Sequence, residues 1–413
     1  METPPQVDLS AIRAARGRIQ DALYRSPCPF SLALSQACNA RIFCKLEHLQ
    51  MTGSFKERGA RNKLLQLPEP LRQAGVIAAS AGNHALALAY HGQLLNIPVT
   101  VVMPRYAPIV KVANCRSFGA NVLLHGDSFD AARRHALALA ADNHLTYISG
   151  FDDPDIVAGQ GTIGLEILED VPQVDAIVVP VGGGGLLAGI GTAVKAVKPE
   201  VRIIGVEPVN AATLALSLKN GIVTHVDTRP TLADGLAVGE AGKLCLELAR
   251  RCLDDLVLVD ETAIAKAVLR LLELEKMVIE GAGAAGLAAL LERDPLGLKG
   301  LENKNIVLVL TGGNIDVTTL ARVINRGLAG DGRLMRITAD ISDRPGTLAH
   351  LLTIVADAGG SIQEVRHDRH FGSPDVALVR VFLVIETRDS DHIAEIHAAL
   401  ARAGVLVRPA GEQ

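Results

Sequence analysis

The run Ala176-Ile177-Val178-Val179-Pro180-Val181-Gly182-Gly183-Gly184-Gly185-Leu186 decides how the rest of the chain is read. Ala176 to Val194 carries no charged residue and is long enough to cross a bilayer on length alone. Pro180 and the four consecutive glycines would break such a helix in half. A strand over Ala176–Val181, a glycine loop and a helix over Leu186–Val197 fit the same residues. Glycines at the end of a parallel strand permit the backbone of a phosphate cradle, and the following helix aims its positive end at the anion. A plain flexible turn is the alternative. The Lys-Ser/Thr ending of a nucleotide-triphosphate loop is missing, which disfavours that ligand.

Outward from this run the pattern alternates. After an N-terminal helix over Ile12–Leu23, Gly75–Ala79 reads as a strand and Asn83–Leu95 as a helix. Val99–Met103 is extended, Ile109–Phe118 helical, Asn121–Leu124 extended, Ser128–Ala141 helical and Thr146–Ser149 extended. A second series comprises helix Gly161–Glu169, strand Ala176–Val181, helix Leu186–Val197 and strand Arg202–Val206, closed by strand Val307–Leu310. Repeated βαβ units of this kind predict an α/β fold with open, mostly parallel sheets and helices on both faces.

The grammar changes after the polar, glycine-rich stretch 326–332, which reads as a linker. Met335, Ile337, Ala339 and Ile341 alternate with polar residues as in a half-buried strand, and Leu348, Leu351, Leu352 and Val355 lie on one helix face. Extended runs Ser361–Arg366 and Val376–Ile385, a helix with Ile393, Ile396 and Leu400 inward, and strand Val405–Arg408 complete a βαββαβ order. This predicts a small ferredoxin-like α+β domain over 333–413, separate from a catalytic domain over 1–325 whose smaller subdomain spans roughly 50–150.

Composition narrows the function. Across 413 residues, 49% are hydrophobic, 21% charged and only 3% aromatic, with a formal charge of −4. These values are ordinary for a globular protein and provide neither the basic field nor the stacking platforms of a nucleic-acid binder. Six cysteines form no C-x-x-C pair and read as buried small hydrophobes in a reducing compartment. With no signal-peptide pattern, a soluble cytoplasmic protein without a membrane partner is expected.

Four segments carry chemistry. In Thr52-Gly53-Ser54-Phe55-Lys56-Glu57-Arg58-Gly59-Ala60, Lys56 follows an aromatic residue in a small-residue turn before a helix. Partial desolvation there would lower its pKa and leave a nucleophilic amine; a plain surface lysine is the competing reading. Ser80-Ala81-Gly82-Asn83-His84-Ala85 lies at a strand–helix junction, suited either to gripping a carboxylate or merely to capping the helix. Gly182–Gly185 with Leu186 is the third. Thr311-Gly312-Gly313-Asn314 follows a strand at the sheet end where α/β proteins place ligands. Thr311 there would bond a ring nitrogen or cap the next helix. Gly281–Gly286 fits G-x-G-x-x-G, but Ala263–Met277 before it reads as a helix, not a strand, so close helix packing explains it better than a dinucleotide.

Together these motifs resemble the fold type II pyridoxal-phosphate family, specifically the threonine/serine ammonia-lyases (threonine dehydratases) with one C-terminal ACT domain. The resemblance covers nearly the whole chain, through residues 53–60, 80–85, 151–166 (F-D-D-P-D-I-V-A-G-Q-G-T-I-G-L-E), 182–186, 231–235 (T-L-A-D-G), 280–284 (E-G-A-G-A) and 311–314. It implies pyridoxal 5'-phosphate attached to Lys56, which would later take the Cα proton. Phe55 would pack on the cofactor ring, Asn83 bond its hydroxyl, Gly182, Gly183, Gly184, Gly185 and Leu186 bind its phosphate, and Thr311 meet its ring nitrogen. Ser80, Ala81, Gly82, Asn83 and His84 would bind the substrate carboxylate. The implied reaction deaminates L-threonine to 2-oxobutanoate and L-serine to pyruvate, and the resemblance carries an association with isoleucine biosynthesis.

Two positions depart from related serine racemases. They have a Ser where Ala81 stands, and Ala81 cannot move a proton, so racemisation should be weak or absent. They bind a divalent cation through a Glu, a carbonyl and an Asp; Glu207 and Ala211 match, but Thr213 replaces the Asp, so no metal is expected. The C-terminal unit resembles an ACT domain with Asp343-Arg344-Pro345-Gly346-Thr347-Leu348 as its turn. That implies either an amino-acid effector site with allosteric control or a dimerisation module without a ligand. A homo-oligomer, dimer or tetramer, is expected. The rivals are a 3-hydroxyaspartate dehydratase or serine racemase of the same fold, and an amino-acid sensor with a disabled catalytic half.

Overall fold

The computed structural model describes residues 7–292, 300–369, 375 and 377–408. They form two compact units, Met1–Asp316 and Val317–Gln413. The first contains two open sheets. The larger has strand order Phe30–Ser31, Arg41–Lys45, Asn305–Val309, Ala176–Pro180, Arg202–Pro208, Asp255–Val259, parallel except for the short first strand. The smaller is fully parallel, in the order Asn121–Leu124, Val99–Met103, Val76–Ala79, Thr146–Tyr147. Its strands fall inside the region expected for the smaller subdomain. Strands Arg41–Lys45 and Asp255–Val259 are additions to the elements expected from the sequence.

Helix Pro154–Asp170 joins the two sheet layers. It starts seven residues before the stretch expected from periodicity, because Asp153 caps it by accepting from the N–H groups of Asp155 and Ile156 and Pro154 takes the first turn. Its glycines let three helices close on one another. A Cβ at Gly159 would lie 2.7 Å from the Arg58 carbonyl on helix Lys56–Gln66, and one at Gly161 would lie 2.9 Å from the Gly189 carbonyl on helix Gly185–Val197. Helix Pro154–Asp170 is thus held close to the helix that begins with Lys56 on one side and to helix Gly185–Val197 on the other.

Charge fixes the same seat. Arg58, buried, donates to both oxygens of Glu47 at 2.7 and 2.8 Å, to both oxygens of Glu166 at 2.7 and 2.8 Å, and to Thr162 Oγ1 at 3.1 Å. All five of its N–H donors are used. Lys45, also buried, reaches Glu166 at 2.7 Å. A guanidinium taken out of water is tolerated only with partners this complete.

Helix Gly281–Leu291 follows helix Glu261–Glu275, as expected of the G-x-G-x-x-G segment. A Cβ at Gly286 would meet Leu308 at 2.7 Å and one at Gly283 the Gly312 carbonyl at 2.9 Å, so these glycines serve packing against the sheet. Among the described residues no helix is long and apolar enough to cross a membrane.

The second unit is one antiparallel sheet ordered Ser361–Asp368, Leu378–Glu386, Leu334–Ser342, Leu406–Arg408, with helices Thr347–Asp357 and Ser390–Arg402. Met335, Ile337, Ala339 and Ile341 face a core that includes Leu351, Val355, Ile396 and Leu400, the face read from alternation; Leu348, Leu352 and Ile393 pack at its margin. Val376, the expected start of the third strand, lies outside the described residues. The expected linker needs correcting. Helix Val317–Gly330 runs through most of 326–332, with Val323 and Gly327, four residues apart, as its buried pair. Gly327 is thus a buried position within a helix, where the sequence suggested a break.

Candidate active site

A cleft of about 570 Å³ opens in the first unit, and every residue singled out from the sequence as cofactor- or substrate-binding lines it. Phe55 and Lys56, Ser80 through His84, Gly182 through Leu186, and Thr311 come from four separate stretches of chain, gathered at the C-terminal ends of strands in both sheets.

Lys56 is the first residue of its helix. Its Nζ donates to the Gly150 carbonyl at 2.7 Å and lies 5.1 Å from the centre of the Phe55 ring. Burial lowers its pKa to about 8, opposed by nearby Cys245 and Glu280. An amine so placed is about half in its neutral, nucleophilic form at pH 8, where an ordinary lysine is almost wholly protonated. Phe55 lies beside the amine, and its N–H donates to the Thr311 carbonyl at 3.0 Å, which ties the lysine turn to the Thr311 loop.

The glycine run is sterically required. Gly184 has φ +94°, and a Cβ there would meet Cys245 Cβ at 2.9 Å. A Cβ on Gly182 would meet Leu236 Cα at 2.9 Å, one on Gly185 the Phe151 carbonyl at 2.8 Å, and one on Gly183 would enter the Phe151 ring. The loop thus presents bare backbone at the start of helix Gly185–Val197, whose first N–H groups have no acceptor within the helix. Asp152 holds the start of the adjacent helix Lys243–Cys252 by accepting from Lys243 N at 3.1 Å and Leu244 N at 3.0 Å.

At the second motif, Gly82 N donates to Ser80 Oγ at 3.2 Å, and helix Asn83–Leu95 begins at once. His84 is buried, with Nε2 3.3 Å from the Ile148 carbonyl. A carbonyl only accepts, so Nε2 carries the proton. Burial and then the Lys56 charge lower the His84 pKa to about 3, which keeps the ring neutral. Any carboxylate grip here must come from backbone N–H groups and Ser80, without a histidine charge.

Two residues escaped the sequence reading. Asn83 Nδ2 donates to Glu280 Oε1 at 2.7 Å, while Asn83 Oδ1 accepts from Asn314 Nδ2 at 2.9 Å. Asn314 Nδ2 also donates to the Thr52 carbonyl at 2.7 Å. Glu280 sits just before the G-x-G-x-x-G helix, and Asn314 ends T-G-G-N. Both stood inside quoted motifs, but nothing in their spacing pointed to Asn83. At the mouth, Lys111 and Asp234 pair at 2.9 Å.

Glu207 is fully buried and accepts from Leu214 N and Ala215 N, both at 2.8 Å, and from Thr213 Oγ1 at 3.3 Å. Its carboxylate thus caps helix Thr213–Asn220. Burial raises its pKa to about 7 against these hydrogen bonds. Among the described residues no group of three or more His, Cys, Asp or Glu is placed to hold a metal ion.

A desolvated lysine facing a glycine loop at a helix start, across a cleft between two parallel-sheet layers, defines a class of enzyme that attaches a phosphorylated carbonyl cofactor. Residues 19–312 match the model of the pyridoxal-phosphate dependent enzyme family. The chain belongs to this family, and its cofactor is pyridoxal phosphate. L-threonine ammonia-lyase of Thermotoga maritima is 44% identical over 405 residues, 98% of this chain and 100% of that one. Among solved structures, maize serine racemase is 34% identical with a TM-score of 0.73, covering 78% of this chain and 98% of that one. The processed form of threonine deaminase isoform 2 from Solanum lycopersicum is 36% identical with a TM-score of 0.72, covering 78% and 95%.

The cleft fits this cofactor on its own features. It has the amine, the side-chain-free loop for a phosphate, and a volume within the range of small-cofactor pockets.

Proposed function

We propose that the protein is a threonine ammonia-lyase that also accepts serine, releasing 2-oxobutanoate or pyruvate and ammonia. The observation that carries this reading is the convergence of Lys56, the Gly182–Gly185 loop, Asn83 and Thr311 on one cleft. Identity to the Thermotoga ammonia-lyase over nearly the whole of both chains supports the substrate.

When bound, pyridoxal phosphate supplies the electron sink that makes the substrate Cα acidic. Lys56 holds the cofactor and then moves the Cα proton with its amine. Gly182–Gly185 and Leu186 would hold the phosphate, Thr311 would meet the ring nitrogen, and Phe55 would pack on the ring. Ser80 and the N–H groups of residues 81–84 orient the substrate carboxylate. The C–H bond and the Cβ–O bond break, water leaves, and the enamine product takes up water to give the 2-oxo acid and ammonia.

Ala81 has no acid or base to return a proton to the opposite face of Cα, so elimination is favoured over racemisation. Incubation with L-serine followed by chiral separation tests this. Pyruvate with little D-serine is expected; D-serine as the main product would reassign the protein to the racemases.

The second unit is proposed to be an ACT-type module that binds an amino acid and adjusts the catalytic unit, in a homo-oligomer of cytoplasmic location that serves either isoleucine biosynthesis or threonine breakdown. Its βαββαβ order supports this assignment. Calorimetric titration with the twenty amino acids tests it, with heat of binding for at least one that also shifts turnover as the expected result.

A further inference from the structure

Asn83, Asn314 and Glu280 form a hydrogen-bond chain with only one consistent assignment. Asn314 Nδ2 faces two acceptors, the Thr52 carbonyl at 2.7 Å and Asn83 Oδ1 at 2.9 Å, so both of its hydrogens are committed. Asn83 must then offer its nitrogen to Glu280 Oε1, at 2.7 Å. Among the described residues the second Asn83 N–H has no protein acceptor, and Asn83 lines the cleft.

We propose that Glu280 is a positioning residue for the cofactor, holding the Asn83 carboxamide in the one orientation that leaves an N–H free to donate into the cleft. This rests on the reading of the cleft as the pyridoxal-phosphate site. Remove the acceptor, and only the bond from Asn314 is left to hold the amide, which can then swing its nitrogen off the cleft-facing direction. The backbone is built around the pair. Glu280 N donates to the Gly312 carbonyl at 3.1 Å. A Cβ on Gly312 would stand 2.5 Å from Glu280 Oε1 and 3.1 Å from Asn83 Nδ2, so glycine keeps the space in which they meet. Glu280 is also almost fully buried, and burial raises its pKa to about 7. A buried carboxyl group that, among the described residues, has no cation within salt-bridge distance calls for a role beyond packing, since an apolar residue would bury at less cost.

The test is titration of cofactor-free protein with pyridoxal phosphate, read by the visible absorbance of the lysine-bound form. The parent is compared with Glu280→Ala, Glu280→Asp, Glu280→Gln, Asn83→Ala and the Asn83→Ala/Glu280→Ala double variant. Glu280→Ala and Glu280→Asp, the latter withdrawing the acceptor by one methylene, are expected to weaken the cofactor Kd about tenfold. Glu280→Gln keeps an acceptor oxygen and is expected to stay within about threefold. In the Asn83→Ala background Glu280→Ala should add less than about twofold, because its effect runs through Asn83. Unchanged Kd in both Glu280→Ala and Glu280→Asp overturns the proposal, as does the same factor with and without Asn83. A parent that binds no cofactor overturns the reading of the cleft and the proposal with it, so the two failures are distinct.

Discussion

Lys56 Nζ donates to the Gly150 carbonyl at 2.7 Å, joining the first residue of one helix to the segment that leads into the next. The bond holds the amine in a desolvated position, where burial lowers its pKa to about 8. The neutral, nucleophilic form therefore grows in as pH rises through about 8 rather than through the ordinary 10.5. Stopped-flow absorbance of cofactor capture by cofactor-free protein should show a rate that rises with pH to a plateau, with a midpoint near that value.

Gly183 and Phe151 test the glycine loop. Since a Cβ on Gly183 would enter the Phe151 ring, Gly183→Ala should destabilise the protein by about 1–3 kcal/mol and weaken cofactor binding. Adding Phe151→Ala removes the obstruction. Denaturant melts should show the double variant losing less than the sum of the two singles, whereas strict additivity would mean that the loop does not rest on Phe151.

Arg58 lies between Glu47 and Glu166 with every N–H used. Arg58→Met would bury Glu47 without its guanidinium partner and leave Glu166 only Lys45, at an expected cost of about 3–5 kcal/mol in urea unfolding. Because Arg58 is on the helix that begins with Lys56, surviving folded protein should also capture cofactor more slowly.

His84 predicts a pH effect on stability. Its folded pKa is about 3, below its ordinary 6.5, so between these values the unfolded chain binds the extra proton. The stability it confers is present above pH 6.5 and is lost as pH falls toward 3. Glu207 and Glu280, raised to about 7, act with the opposite sign, so comparison with His84→Gln isolates the histidine. The parent's melting temperature should fall more steeply than the variant's between about pH 6.5 and pH 4.5.

The sequence was most legible where a local pattern sufficed. Helix Asn83–Leu95 and strands Val99–Met103 and Asn121–Leu124 run between the expected residues, and the cleft residues named from the sequence came from short glycine-rich or small-residue motifs. It was least legible where glycine and proline serve packing. The first turns of helix Pro154–Asp170 were hidden by Pro154 and Gly159, and helix Val317–Gly330 by Gly327 and Gly330. Strand Arg41–Lys45 lacks clear alternation and gains its place by pairing with residues 305–309, far along the chain. Glu280 and Asn314 were missed for the same reason: their partner is Asn83, 197 and 231 residues away, and no local period encodes that contact.

The most direct test of the account follows the visible absorbance of lysine-bound cofactor together with 2-oxo acid release from L-threonine, L-serine and 3-hydroxyaspartate, for the parent and for Lys56→Ala. The expected result is cofactor absorbance with threonine turned over fastest, both lost in the variant. Turnover confined to 3-hydroxyaspartate, or undiminished turnover in Lys56→Ala, would contradict it.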